Sequence, residues 1–289
     1  MSHLLAADLV RFGRRRDVLL LLVLVPVMIG LLYLNDFNRT VQGIHEVLNI
    51  DLGPSPDPNL LAQVQAQLHQ QTIEQMPAFA FPASLVRIAT EPIGVILFGL
   101  YLAIALTAGE FEWGTVRTIH LTVDRTAALT VRIGLITGLV LLTLAVGIFI
   151  GTIAPFLMSI DGTPLQHFAA PVPDLGPALA ARVLCILPFV SIPFLASVLT
   201  RSTGLAVLLT VLILVVDVAV TETPFWAGSP IPWLPDVTIT GSITRLLSGD
   251  GSPFAQLGPA WLAVGALIGW SVLPVVAAIA RFRRLDLTE

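Results

Sequence analysis

The residues able to do chemistry in this 289-residue chain gather in one short polar insert between two long apolar runs, Gly109 to Arg132. The insert carries carboxylates, Glu110 and Glu112 foremost, and the guanidinium groups of Arg117, Arg125 and Arg132. Glu110 stands at the C-terminal end of an apolar run, where a helix dipole favours cations rather than anions. A carboxylate there, beside a low-dielectric region, calls for a cationic neighbour, and the three arginines are the candidates. The pattern fits a structural ion pair and a docking surface equally well.

Asp217 is the second candidate, an acid well inside another apolar run. Near the centre of a bilayer such a residue costs roughly 2.5–3.5 kcal/mol on insertion scales. It reads either as an intramembrane polar site or as a residue at the mouth of its span, hydrated by the loop that follows.

Other chemistry is thin. The five histidines, His3, His45, His69, His120 and His167, have no metal-ligand spacing. Cys185 is the lone cysteine, so an intrachain disulfide is excluded. All fifteen basic residues are arginine, and a P-loop needs a lysine to reach the nucleotide phosphates. No nucleophile elbow, His-Glu metalloprotease helix or catalytically spaced carboxylate pair occurs. The chain is therefore expected to hold no catalytic, cofactor-binding or metal-binding residue of its own.

The elements that position these residues are apolar. Hydrophobic residues make up 55% of the chain and charged ones 12%, about half the charged share of a soluble domain. Several uncharged runs reach the roughly 17–25 residues that cross a bilayer as a helix. The pattern predicts an all-α integral membrane protein, a single domain over 1–289, with spans at 18–34, 92–108, 127–155, 183–199, 204–220 and 260–280. Pro26, Pro188 and Pro193 are expected to bend the first and fourth spans. No small-residue cleavage site follows the first apolar run, so it is read as retained.

Between the spans, residues 1–17 read as an amphipathic interface helix, with Leu5, Leu9 and Phe12 at helical spacing and an arginine triplet, Arg14 to Arg16. Residues 35–91 form a polar stretch with two helical stripes, Val41-Ile44-Leu48 and Leu60-Val64-Leu68, and read as a small helical subdomain. Residues 109–126 are the polar insert. Residues 221–258, rich in Pro, Gly and Trp, form an outer segment, part of which could dip back without crossing. The pairs Gly134/Gly138, Gly147/Gly151 and Gly265/Gly269 read as helix-packing positions. Six spans put both termini on one side. With that side cytoplasmic, eleven of the fifteen arginines lie inside, as the positive-inside tendency favours.

The insert reads G-E-F-x-x-G-T-x-R, followed by Arg125 and, seven positions on, Arg132. This pattern, the ending Arg281-Phe282-Arg283-Arg284-Leu285-Asp286, and the arginine-rich turn before the first span resemble the permease subunits of ABC-2 type transporters. The likeness covers nearly the whole chain in span count and loop order. Arg132 stands where the family usually has lysine, and Val123 where it often has proline.

The resemblance implies a bacterial plasma-membrane exporter subunit whose insert forms a cytoplasmic coupling helix docked on a separate ATPase. Glu110, Glu112, Gly114, Thr115 and Arg117 would be coupling residues, with Arg125 and Arg132 fixing the helix that follows. ATP and Mg would be bound by two copies of the partner ATPase, and a second permease copy would complete a homodimer. The lipid membrane is the remaining partner, and nucleic acid is not expected. An apolar path between the copies suits an amphiphilic cargo such as a drug, peptide antibiotic or lipid. The rival readings are an ion-coupled secondary transporter working through Asp217, a membrane-embedded enzyme, and a non-transporting sensor or scaffold that works through residues 35–91.

Overall fold

The computed structural model describes residues 10, 13, 15–48, 58–69, 75–90, 93–112, 125–160, 163–172, 174–247 and 260–284. These are mostly helical. The long helices are α1 (Arg16–Leu48), α4 (Ile93–Glu112), α5 (Arg125–Leu157), α8 (Thr203–Glu222) and α10 (Ala260–Arg283). Shorter ones are α2 (Pro58–His69), α3 (Ala83–Thr90), α6 (Leu175–Ile186), α7 (Pro188–Thr200) and α9 (Ile239–Leu247). A two-residue hairpin pairs Ser159–Ile160 with Thr163–Pro164 antiparallel.

Among the described residues, six helical stretches are long and apolar enough to cross a bilayer: Arg16–Glu46, Ile93–Glu112, Thr126–Ile153, Leu175–Thr200, Thr203–Glu222 and Trp261–Arg283. The chain thus has the helices of a multi-pass membrane protein.

Two boundaries differ from the expected ones by eight residues or more. The first helix does not stop at residue 34 but continues to Leu48, taking in the first stripe assigned to the polar stretch. Hydropathy falls after Leu34, yet no proline interrupts the chain there, and Tyr33, Phe37 and Ile44 stay buried along one stripe. Falling hydropathy marks the end of an apolar run, not of a helix. The fourth stretch starts at Leu175, eight residues early, and breaks at Leu187, just before Pro188. Proline at the first position of α7 restarts the helix at little cost, because its missing N–H would be unbonded there anyway.

The chain falls into two compact units. One comprises Val23–Gly94 and Thr143–Leu179. Its centre is Phe79, fully buried, with the rings of Tyr33 and Phe37 at 5.6 and 5.4 Å and the Arg87 guanidinium 4.1 Å above its face. Tyr33 Oη donates to the Phe79 carbonyl at 2.8 Å, and Arg87 pairs with Asp36. Here the Gly147/Gly151 pair works as packing: a Cβ at Gly147 would lie 3.0 Å from Ile29, and one at Gly151 2.6 Å from Ile88. Gly134, Gly138 and Gly265 meet nothing within 4 Å.

The other unit comprises Met1–Leu22, Val95–Leu142 and Ala180–Glu289. Ile104 and Ala108 of α4 pack on Ala196 of α7 and Ala206 of α8. A second cluster joins Cys185, Ile192, Ile239 and Leu267. Hydroxyls inside these helices are spent locally: Ser197, Thr210 and Ser271 each donate to the carbonyl four residues back, at 2.7 Å. This lets a polar side chain sit in an apolar helix with its donor bonded.

Candidate functional site

The end of α4 is where the polar residues of the insert converge with other helices. Asp17 receives the hydroxyl of Tyr101, and Arg15 donates to Asp17 at 2.9 Å and to the Ala105 carbonyl at 3.2 Å. These contacts tie the start of α1 to α4. One turn further, Glu110 Oε2 lies 2.5 Å from Arg132 Nη2, with the two side chains 5% and 8% exposed. Phe111 meets Phe282 edge-on, ring centroids 6.0 Å apart. Glu112 accepts from the backbone N–H of Thr203 at 2.6 Å and from its hydroxyl at 2.9 Å. The last three turns of α4 therefore touch the starts of α1, α5 and α8 and the end of α10.

Electrostatics explains why two acids tolerate the C-terminal end of their own helix. Glu110 has the Arg132 charge against it, and α5 returns beside α4 after the insert, which brings the two together. Removing Glu110 would leave Arg132 buried and uncompensated, at about 3–5 kcal/mol. Glu112 stands at the unfavourable end of α4 but at the favourable, N-terminal end of α8, which has no acid in its own first turn. Its oxygens take the first backbone N–H of α8, which no intrahelical carbonyl can receive.

Of the insert residues, Glu110, Glu112 and Arg132 are brought together at this end. Arg125 is the first residue of α5. Gly114, Thr115 and Arg117 lie outside the described residues, as do 1–9, most of the expected interface helix. Asp217 is elsewhere, toward the other end of α8. It is 7% exposed and bonded to residues of the segment that follows its span. Its Oδ1 accepts from the N–H of Ile239 at 2.7 Å, and its Oδ2 from the N–H and hydroxyl of Thr240 at 2.8 and 2.7 Å. Thr238 Oγ1 accepts the next N–H, that of Gly241, at 3.0 Å. Three of the four unbonded N–H groups at the start of α9 are thus satisfied. Gly241 has to be glycine, since a Cβ would collide with the Pro235 carbonyl.

Sequence reasoning missed the Arg15–Asp17–Tyr101 contact, although Asp17 beside an arginine triplet and one of only two tyrosines were visible signals. Thr203 as the partner of Glu112 and Phe282 as the partner of Phe111 had no local signal. Groups of three or more His, Cys, Asp or Glu able to hold a metal ion do not occur among the described residues. A scan against models of known protein families finds no match to this chain, and a search of curated proteins finds none either.

Proposed function

We propose that this chain is the permease subunit of an ABC-2 type exporter. A separate ATPase would drive it through the 109–126 insert, moving an amphiphilic cargo by alternating access between two copies. In this reading both termini and the insert are cytoplasmic, residues 1–17 lie in the interface, and the helices of 35–91 form a small outer subdomain. The observation that carries the proposal is the convergence at the end of α4. The Glu-Phe of the insert meets Arg132 and the Phe of the Arg-Phe-Arg-Arg tail, so two of the three features on which the family resemblance rests are in contact.

Mechanically, a push on the insert would reach four helices at once. Glu110 holds α5, Glu112 holds α8, Phe111 holds α10, and the Tyr101–Asp17 bond holds α1. Ligand-driven switching needs a site whose contacts differ between two states, and an insert rooted in several helices can supply one. The amphiphilic cargo is supported by a groove of about 620 Å³ along α10, lined by Leu195, Trp261, Gly265, Trp270 and Leu273 among others. The secondary-transporter reading needed a carboxylate free to take an ion, and both oxygens of Asp217 are engaged in the α9 cap.

The test is purification of the tagged chain from its native membrane in mild detergent, beside Glu110→Ala and Arg117→Ala variants. A soluble P-loop ATPase is expected to accompany the unaltered chain and to be loosened, or to lose its response to cargo, in the variants. Absence of any ATPase even after chemical crosslinking overturns the proposal.

A further inference from the structure

The end of α8 remote from Glu112 borders a cavity of about 440 Å³, lined in part by Glu222, Trp226, Asp236, Thr244 and Arg245. Its charged groups are unevenly satisfied. Arg245 is 5% exposed, and its Nη1 lies 3.2 Å from Asp236 Oδ2. Neither terminal nitrogen of Arg245 has a hydrogen-bond acceptor among the described residues, and the buried Trp226 Nε1 has none. The neighbouring donors are spent: Ser242 donates to the Asp236 carbonyl, Thr221 and Thr238 bond each other, and Trp270 donates to the Val237 carbonyl. Buried donors left without acceptors are costly, and native proteins rarely keep several in one place.

A ligand for this cavity must bring oxygen acceptors to Arg245 and Trp226. It must also suit the summed charge of the wall, where Glu222 and Asp236 outnumber Arg245. A plain anion meets the first condition and violates the second. A zwitterion meets both, with its oxyanion on the guanidinium and indole and its ammonium on Glu222, an exposed carboxylate. The outward face of α8 leading to the cavity is apolar, with Val215, Val216 and Val218 about half exposed, so an acyl chain could run beside it.

We propose that this cavity binds a phosphoethanolamine-type zwitterion, either as the headgroup of a membrane lipid or as a free solute. The site does not depend on how the chain is powered.

The test uses the purified full chain in detergent, with two probes and two variants. Calorimetry with glycerophosphoethanolamine, and glycerol phosphate as the plain anion, examines the free solute. Native mass spectrometry with phosphatidylethanolamine against phosphatidylglycerol examines the lipid. Glu222→Gln removes the rim charge, and Trp226→Phe removes one donor while keeping a ring. Neither residue belongs to the Asp236–Arg245 pair, so both variants should fold.

Saturable binding of the soluble zwitterion, weakened about tenfold by each variant, supports the proposal with a free ligand. Selective retention of phosphatidylethanolamine alone, lost with the same variants, supports it with a lipid. No zwitterion bound by either method, binding unchanged in both variants, or the plain anion binding as well as the zwitterion would each overturn it.

Discussion

The two ends of α8 are built from the same parts and differ in how tightly each part is closed. At the α4 end a buried carboxylate–arginine pair, Glu110–Arg132, sits beside a carboxylate cap, Glu112 on Thr203. At the α9 end another pair, Asp236–Arg245, sits beside another cap, Asp217 on Ile239 and Thr240. The assignments are reversed. Where the pair is close, at 2.5 Å, the cap is exposed; where the pair is loose, at 3.2 Å, the cap is buried. An exposed cap competes with water and is easily released, whereas a buried one has no substitute. The α4 end thus has a fixed root and a releasable latch. The α9 end has a fixed latch and an unfilled pair.

Three substitutions would break or sharpen this contrast. The largest effect is expected for Glu110→Ala, which strands a buried Arg132 and should cost about 3–5 kcal/mol in equilibrium unfolding in mixed micelles. Replacing both partners with apolar residues of similar volume should restore most of that loss. If the double variant is as unstable as the single, the pair does more than balance charge. Asp217→Ala comes next, at about 2–3 kcal/mol, because it exposes two helix N–H groups with no replacement acceptor. Hydrogen exchange should localise the damage to α9; protection lost across α8 instead would mean that the two ends are not separable. The smallest effect is expected for Glu112→Gln, which should leave the unfolding midpoint unchanged while speeding exchange at the Thr203 amide. A large stability loss from this variant would show that the cap at the α4 end is no latch.

What could be read in advance follows from range. Six apolar helices were legible because hydropathy is summed over neighbours in the chain. The Glu110–Arg132 pair was legible as one of three alternatives, since a helix, a short insert and a returning helix must bring some arginine back. Nothing local pointed from Glu112 to Thr203, 91 positions away, because either residue alone makes an ordinary surface position. Asp217 was marked as costly, yet its remedy lies on α9, a nine-residue helix within a stretch that reads as Pro- and Gly-rich loop. The continuation of α1 was hidden for another reason. Polarity after Leu34 reports where the chain meets water, while the helix persists on its own hydrogen bonds and on the buried ring of Phe37.

The enclosure of α4 has a consequence for how the protein is made. Of the six bilayer-length helices it has the lowest mean hydropathy, 1.9, and the largest buried share, 72%. A helix surrounded by protein has little need to be dissolved by lipid. On the ribosome, however, α4 emerges when α1 is in place but the partners of its far end are not. Arg132, Thr203 and Phe282 have yet to be synthesised, and the two acids at its end wait for them. Its settled place in the membrane is therefore decided late, and a chain truncated before α10 should be recognised by quality control through α4 first.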